Sequence, residues 1–127
     1  MRSFVAETLT RLRRCRDQGQ PAPVDLCEDA IECLRRVNDA EVVRTERDAL
    51  IRQAADLLPP APPYRKAKML LAEVRAMQRV WRVLVAQTPT YPPVTVRDAL
   101  HAARLISELP DSERQFYRLL RDGTCER

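Results

Sequence analysis

YRKAKMLLAEVRAMQRVWRVLVAQ, residues 64–87, carries its apolar side chains at Leu70, Val74, Met77, Trp81 and Leu84. These positions step by 4, 3, 4 and 3, the spacing of an a/d seam on an α-helix. Pro63 stands just before the stretch, where a fixed φ and a missing N–H suit a first helical turn. The spacing therefore predicts one helix over 64–87. Beside the seam, Arg65, Lys68, Arg75, Arg79 and Arg82 fall within about a 100° arc at 100° per residue, and Glu73 is the stretch's only acid. A basic stripe bordering an apolar seam is a candidate partner-binding surface, with Trp81 as its aromatic anchor.

Working outward, the ten prolines fall into four places, at 21–23, 59–63, 89–93 and 110. Proline removes a backbone donor and clashes with the preceding turn, so it punctuates helices. The segments between have helical periodicity, and the predicted helices run approximately over 3–18, 25–37, 39–58, 64–87, 95–109 and 111–122. The first ends at Gly19, a suitable C′ residue. Asp25 with Glu28, Asn38 with Glu41, and Thr95 with Asp98 have capping-box spacing. In the second helix Cys27, Ala30, Ile31, Leu34 and Val37 fall on one face. A continuous helix over 25–58 is the alternative, opposed only by Asn38–Asp39. The fifth helix should bury Val96, Ala99, Leu100, Ala103 and Ile106, and the sixth carries Phe116, Leu119 and Leu120. No segment alternates with period two. The fold class is all-α, a single-domain bundle of five or six helices separated by proline-rich connectors.

Composition agrees. A chain of 127 residues is the size of one domain with a modest core. Only Gly19 and Gly123 are glycines, which argues against phosphate-cradling glycine loops and multi-turn sheets. No stretch approaches the roughly 18 apolar residues of a membrane span. The net charge of +4 is unevenly spread: residues 1–23 sum to +3, 24–58 to −4, 59–88 to +5, and 89–127 to zero. Residues 1–16 combine Arg2, Arg11, Arg13, Arg14 and Arg16 with Phe4, Val5, Leu9 and Leu12, somewhat like an organellar presequence. Glu7 and Asp17 count against that, because such leaders are poor in acids. Cys15, Cys27, Cys33 and Cys125 form no Cys-x-x-Cys pair and read as buried free thiols. A Cys15–Cys27 bridge is the alternative. Free thiols suggest an intracellular, reducing compartment, with cytoplasm and mitochondrial matrix not distinguished.

Catalytic constellations are scarce. His101, the only histidine, lies beside Leu100 and reads as a helix-surface or half-buried side chain. Ser3, Ser107 and Ser112 lack a nucleophile-elbow context. The pairs Asp25–Asp29 and Glu28–Glu32 have no Glu-x-x-His companions of the kind di-iron bundles use, so neither metal nor cofactor is expected. The expected function is a non-enzymatic helical adaptor or accessory subunit of a larger protein assembly. Its partner would be a protein, acidic or with an apolar groove, bound through helix 64–87. The alternative is a helical nucleic-acid-binding protein holding phosphates with Arg75, Arg79 and Arg82. Oligomeric state is left open.

Overall fold

The computed structural model of the chain describes residues 3–125, with side chains over 3–122. Arg2 and the Cys125 side chain, both counted above, lie outside what is described. The described residues are all-helical, in seven helices: α1 (Phe4–Gln18), α2 (Val24–Val37), α3 (Ala40–Asp56), α4 (Pro63–Arg79), α5 (Trp81–Leu84), α6 (Val96–Ile106) and α7 (Glu113–Cys125). None is long and apolar enough to cross a membrane.

The helix ends follow local chemistry. Ser3 caps α1 by accepting the Ala6 N–H at 3.1 Å. Gly19 ends that helix in the left-handed region at φ 65°. The predicted Asp25–Glu28 box does not form. Pro23, extended at φ −60° and ψ 158°, occupies the cap without a side-chain hydrogen bond, so the helix starts at Val24 and Asp25 falls inside its first turn. Two helices, not one, span 24–56. The break is at Asp39 instead of Asn38: Asp39 is extended and accepts the Glu41 and Val42 N–H groups. Thr95 and Asp98 do form a reciprocal capping box on α6.

Three predicted ends are too long. Position 58 precedes Pro59 and position 109 precedes Pro110, and a residue before proline is pushed out of the helical region. α3 stops at Asp56, within two residues of that limit, while α6 stops earlier than its proline requires, where Ser107 turns fully extended. The 111–122 prediction starts two residues early, because α7 begins at Glu113, with Ser112 accepting the Gln115 N–H at 3.3 Å.

The largest departure is in 64–87. The helix ends at Arg79, Val80 leaves helical geometry at φ −117° and ψ 15°, and four residues form α5. The bend turns Trp81 and Leu84 toward α6. There the His101 ring meets Trp81 edge-on, 5.7 Å between centroids, and His101 Nε2 donates to the Leu84 carbonyl at 2.6 Å. That carbonyl is one of the orphan acceptors at a helix end, which need a partner when covered.

The core comes from α3, α4, α6 and α7. Leu50, Ile51, Leu70, Ala99, Leu100 and Phe116 are fully buried. The most extensive packing is α3 on α6 and α4 on α7. Ala54 and Ala55 on α3, with Ala99, Ala102 and Ala103 on α6, are all buried; such small side chains let two helix axes approach closely. Of the residues expected in the fifth predicted helix, Ala99, Leu100 and Ala103 are buried, while Val96 and Ile106 pack at the core's edge. The α1 N-terminus is pinned to the core by Tyr91, whose hydroxyl accepts the Ser3 N–H at 2.8 Å. The Ser3 hydroxyl in turn donates to Glu46 of α3.

Candidate interaction surface

On α4 the seam turns inward. Leu70, Val74 and Met77 are at most 2% exposed, packed against the rest of the core. What α4 shows to solvent is its basic side: Arg65, Lys68, Arg75 and Arg79 are exposed. None of them has an ion-pair partner among the described residues. Glu73 is engaged by Arg97 of α6 at 2.6 Å. Trp81 and Arg82 belong to α5, beyond the break, so they do not continue the stripe along one helix. Trp81 is half-buried, held between the His101 edge and the Arg104 guanidinium, 4.9 Å from its ring centroid. A cleft of about 260 Å³ opens beside it, walled by Met77, Arg104, Glu108 and Asp111.

The arginines of α1 are already in use. Arg13 donates to the carbonyls of Val85 and Gln87 at 3.0 and 2.7 Å, and Arg16 to that of Ala86 at 3.2 Å. These are the unsatisfied carbonyls that follow α5, so both cations cap a helix C-terminus. Arg11 reaches Asp25 and Asp29 of α2 at 3.1 and 3.4 Å. The charge that resembles a presequence is thus largely internal wiring between α1, α2 and α5. Burial is the first reason that the Arg13 guanidinium sits below its ordinary pKa, the nearby Arg16 the second.

An uncovered apolar row lies on α2. Leu26 is its only buried residue, and it lies roughly 80° around the helix from the centre of the Cys27–Ala30–Ile31–Leu34–Val37 face. The helix therefore rests on α1 and α3 by its flank. Val24 is 76% exposed, Ile31 63%, Leu34 65% and Val37 43%. Singly exposed apolar residues are ordinary, but a contiguous row is not. On one side the row opens into a groove of about 330 Å³ between α1, α2 and the end of α6, where Leu9, Leu12, Leu105 and Ile106 face Ala30 and Leu34. On the other side run Glu28 and Arg35, both exposed. The exposed face was legible in the sequence as the 3.6-residue period of α2. Its exposure was not, because periodicity marks an apolar face without saying what covers it.

The thiols divide between environments. Cys15, Cys27 and Cys33 are free; Cys15 and Cys33 are half-buried. Cys27 is exposed on the apolar row, against the expectation of burial, because α2 turns that side outward. Burial pushes the Cys33 thiol above its ordinary pKa, with the Thr8 hydroxyl acting in the opposite direction. No group of three or more His, Cys, Asp or Glu side chains able to hold a metal ion occurs among the described residues.

No protein-family model, curated protein or solved structure matches the chain.

Proposed function

We propose that this protein is a non-enzymatic helical interaction module, an adaptor or accessory subunit that acts by contact. We place its docking surface on the α2 row and the adjoining groove, not on the border of α4. One observation carries the reading: Ile31 and Leu34 are more than 60% exposed, and Leu34 lines an apolar groove. An amphipathic helix laid into such a groove with i, i+3, i+4 anchors is the recognition mode that suits it. The only imidazole supports a non-catalytic role, since it is buried and its Nε2 is engaged by a backbone carbonyl. Free Cys15, Cys27 and Cys33 suit a reducing intracellular compartment.

Photo-crosslinking tests this. A photoreactive residue at Leu34 should trap a discrete protein, and the adduct should be lost when Ile31 is changed to Glu. The same probe at Arg75 should trap far less. Equal trapping from both positions, or an adduct insensitive to Ile31→Glu, would overturn the assignment.

A second reading, phosphate contact by nucleic acid, has its own support in the four exposed, unpaired cations of α4. It requires binding at low salt with a steep salt slope. The double change Arg75→Ala and Arg79→Ala should then reduce that slope by about 2, near 0.9 for each phosphate no longer neutralised. No binding of single- or double-stranded probes at low salt removes this reading.

A further inference from the structure

From the α2 row we infer that its occupant is the same row of a second copy of the chain, the two α2 helices packing antiparallel. The inference rests on the reading of α2 as the docking surface and names what covers it.

Val24, Cys27, Ile31 and Leu34 step by 3, 4 and 3, the seam of a two-helix contact, and all four are exposed. At 100° per residue they fill an arc of about 80°, and Glu28 and Arg35 lie together along one edge of it. The other edge, Ala30 and Val37, is apolar and continues into the groove. The row is thus self-complementary in shape: apolar edge to apolar edge, charged edge to charged edge.

Charge decides the direction. Glu28 in the first half of α2 and Arg35 in the second are the charges that border the row, whereas Asp25 and Asp29 lie on the far side and are held by Arg11. A parallel pair would set like charges against like. An antiparallel pair sets Glu28 of one copy near Arg35 of the other, and also opposes the two helix dipoles favourably. With Ile31 of one copy facing Leu34 of the second, Glu28 and the opposing Arg35 are offset by only about 3 Å along the axis. Glu28 has no ion-pair partner among the described residues. Among the described residues the Arg35 side chain, 77% exposed, pairs only with Glu32 of its own helix, at 3.2 Å. Both therefore remain available.

A helix of 14 residues is too short to form a free-standing coiled coil, which needs three or four heptads. Here each helix is already folded onto α1 and α3, so association orders little backbone. The small interface, extended by Leu9, Leu12 and Ile106 at the groove, points to a dissociation constant on the order of 10 µM.

The test is sedimentation equilibrium of the whole chain under reducing conditions, which keeps Cys27 from cross-linking, over about 1 to 200 µM so as to bracket that affinity. The monomer mass is 14.6 kDa, and the weight-average mass should climb toward twice that value. Ile31→Glu should hold the protein monomeric throughout. Glu28→Arg should weaken the dimer about tenfold by opposing like charges at both symmetric contacts, and adding Arg35→Glu should restore it to within about threefold. These positions are exposed, so circular dichroism should show every variant folded. A dimer indifferent to Ile31→Glu, or a charge swap that fails to restore it, overturns the proposal. So does a wild-type protein that stays monomeric at the highest concentration. In that last case an apolar dye separates the two readings. Dye binding abolished by Ile31→Glu leaves α2 as a docking surface for a different partner, whereas no dye binding removes the docking surface itself.

Discussion

His101 is 5% exposed, a ring placed where protonation is disfavoured. Burial pushes its pKa below the ordinary value; the Leu84 carbonyl and Asp98 act the other way, and Arg13 adds to the depression. The Nε2–H given to the Leu84 carbonyl is present in both protonation forms, so burial is what resists the charge. As pH falls through the ordinary histidine value of about 6.5, the unfolded chain takes up a proton that the folded chain resists. Stability must then decrease with acidification, by at most about 1.4 kcal/mol per pH unit for one group. Thermal melts between about pH 7.5 and 5 should show this decline, and His101→Gln should flatten it while keeping an N–H donor for Leu84. Asp17 and Asp25, whose carboxyls are held low first by Arg16 and Arg11, lose their stabilising pairs only at more acidic pH. At Gly19 the controlling quantity is backbone conformation. Nothing stands within 4 Å of an added Cβ, yet φ is +65°. Gly19→Ala should accordingly cost about 1 kcal/mol in a denaturant titration through strain alone. Gly19 was legible as a helix stop from its residue type. The burial of His101 was not, because it depends on Trp81 arriving from a separate element.

The elements divide according to how local their causes are. Thr95 and Asp98 were readable as a capping box, and they form one, the Asp98 carboxylate accepting both the Val94 and the Thr95 N–H. Asp25 and Glu28 had the same spacing, but Pro23 set the chain's entry and Arg11 of α1 took the Asp25 carboxylate. Replacing Asp39 with Ala should cost α3 about 1 kcal/mol, as should Thr95→Ala for α6. The caps share no partner, so the double variant should be additive within about 0.5 kcal/mol. Seam spacing in 64–87 correctly marked the inward positions Leu70, Val74 and Met77, yet overran the helix end at Arg79. Trp81 and Leu84 still pack against the core, so the periodicity carried on through a bend that it had no means of registering.

Across the whole molecule, the apolar residues separate into those that build the core and those that do not, and stability should report the difference. Leu50→Ala, at a position with no exposure, should cost about 2–5 kcal/mol through reduced burial and a cavity. Leu34→Gln, at 65% exposure, should change the stability of the monomer by less than about 0.5 kcal/mol. Equilibrium denaturation at low protein concentration, where self-association is absent, measures both. A large loss at Leu34 would mean that α2 is covered from within and carries no docking face. The amino-acid sequence by itself determined that the chain is helical, roughly where its helices begin and end, and which side of each is apolar. Those properties arise from propensity, proline placement and caps, all interactions over a few residues. The tertiary structure alone decided which apolar sides meet. The α4 seam closes against the core, while the equally periodic α2 row is left outside, because Leu26 and the α1 ion pairs seat that helix on its flank. For the same reason the arginines of α1, free charges in the sequence, became caps for the carbonyls after α5, and the stripe on α4 kept its cations exposed but gave up its apolar border.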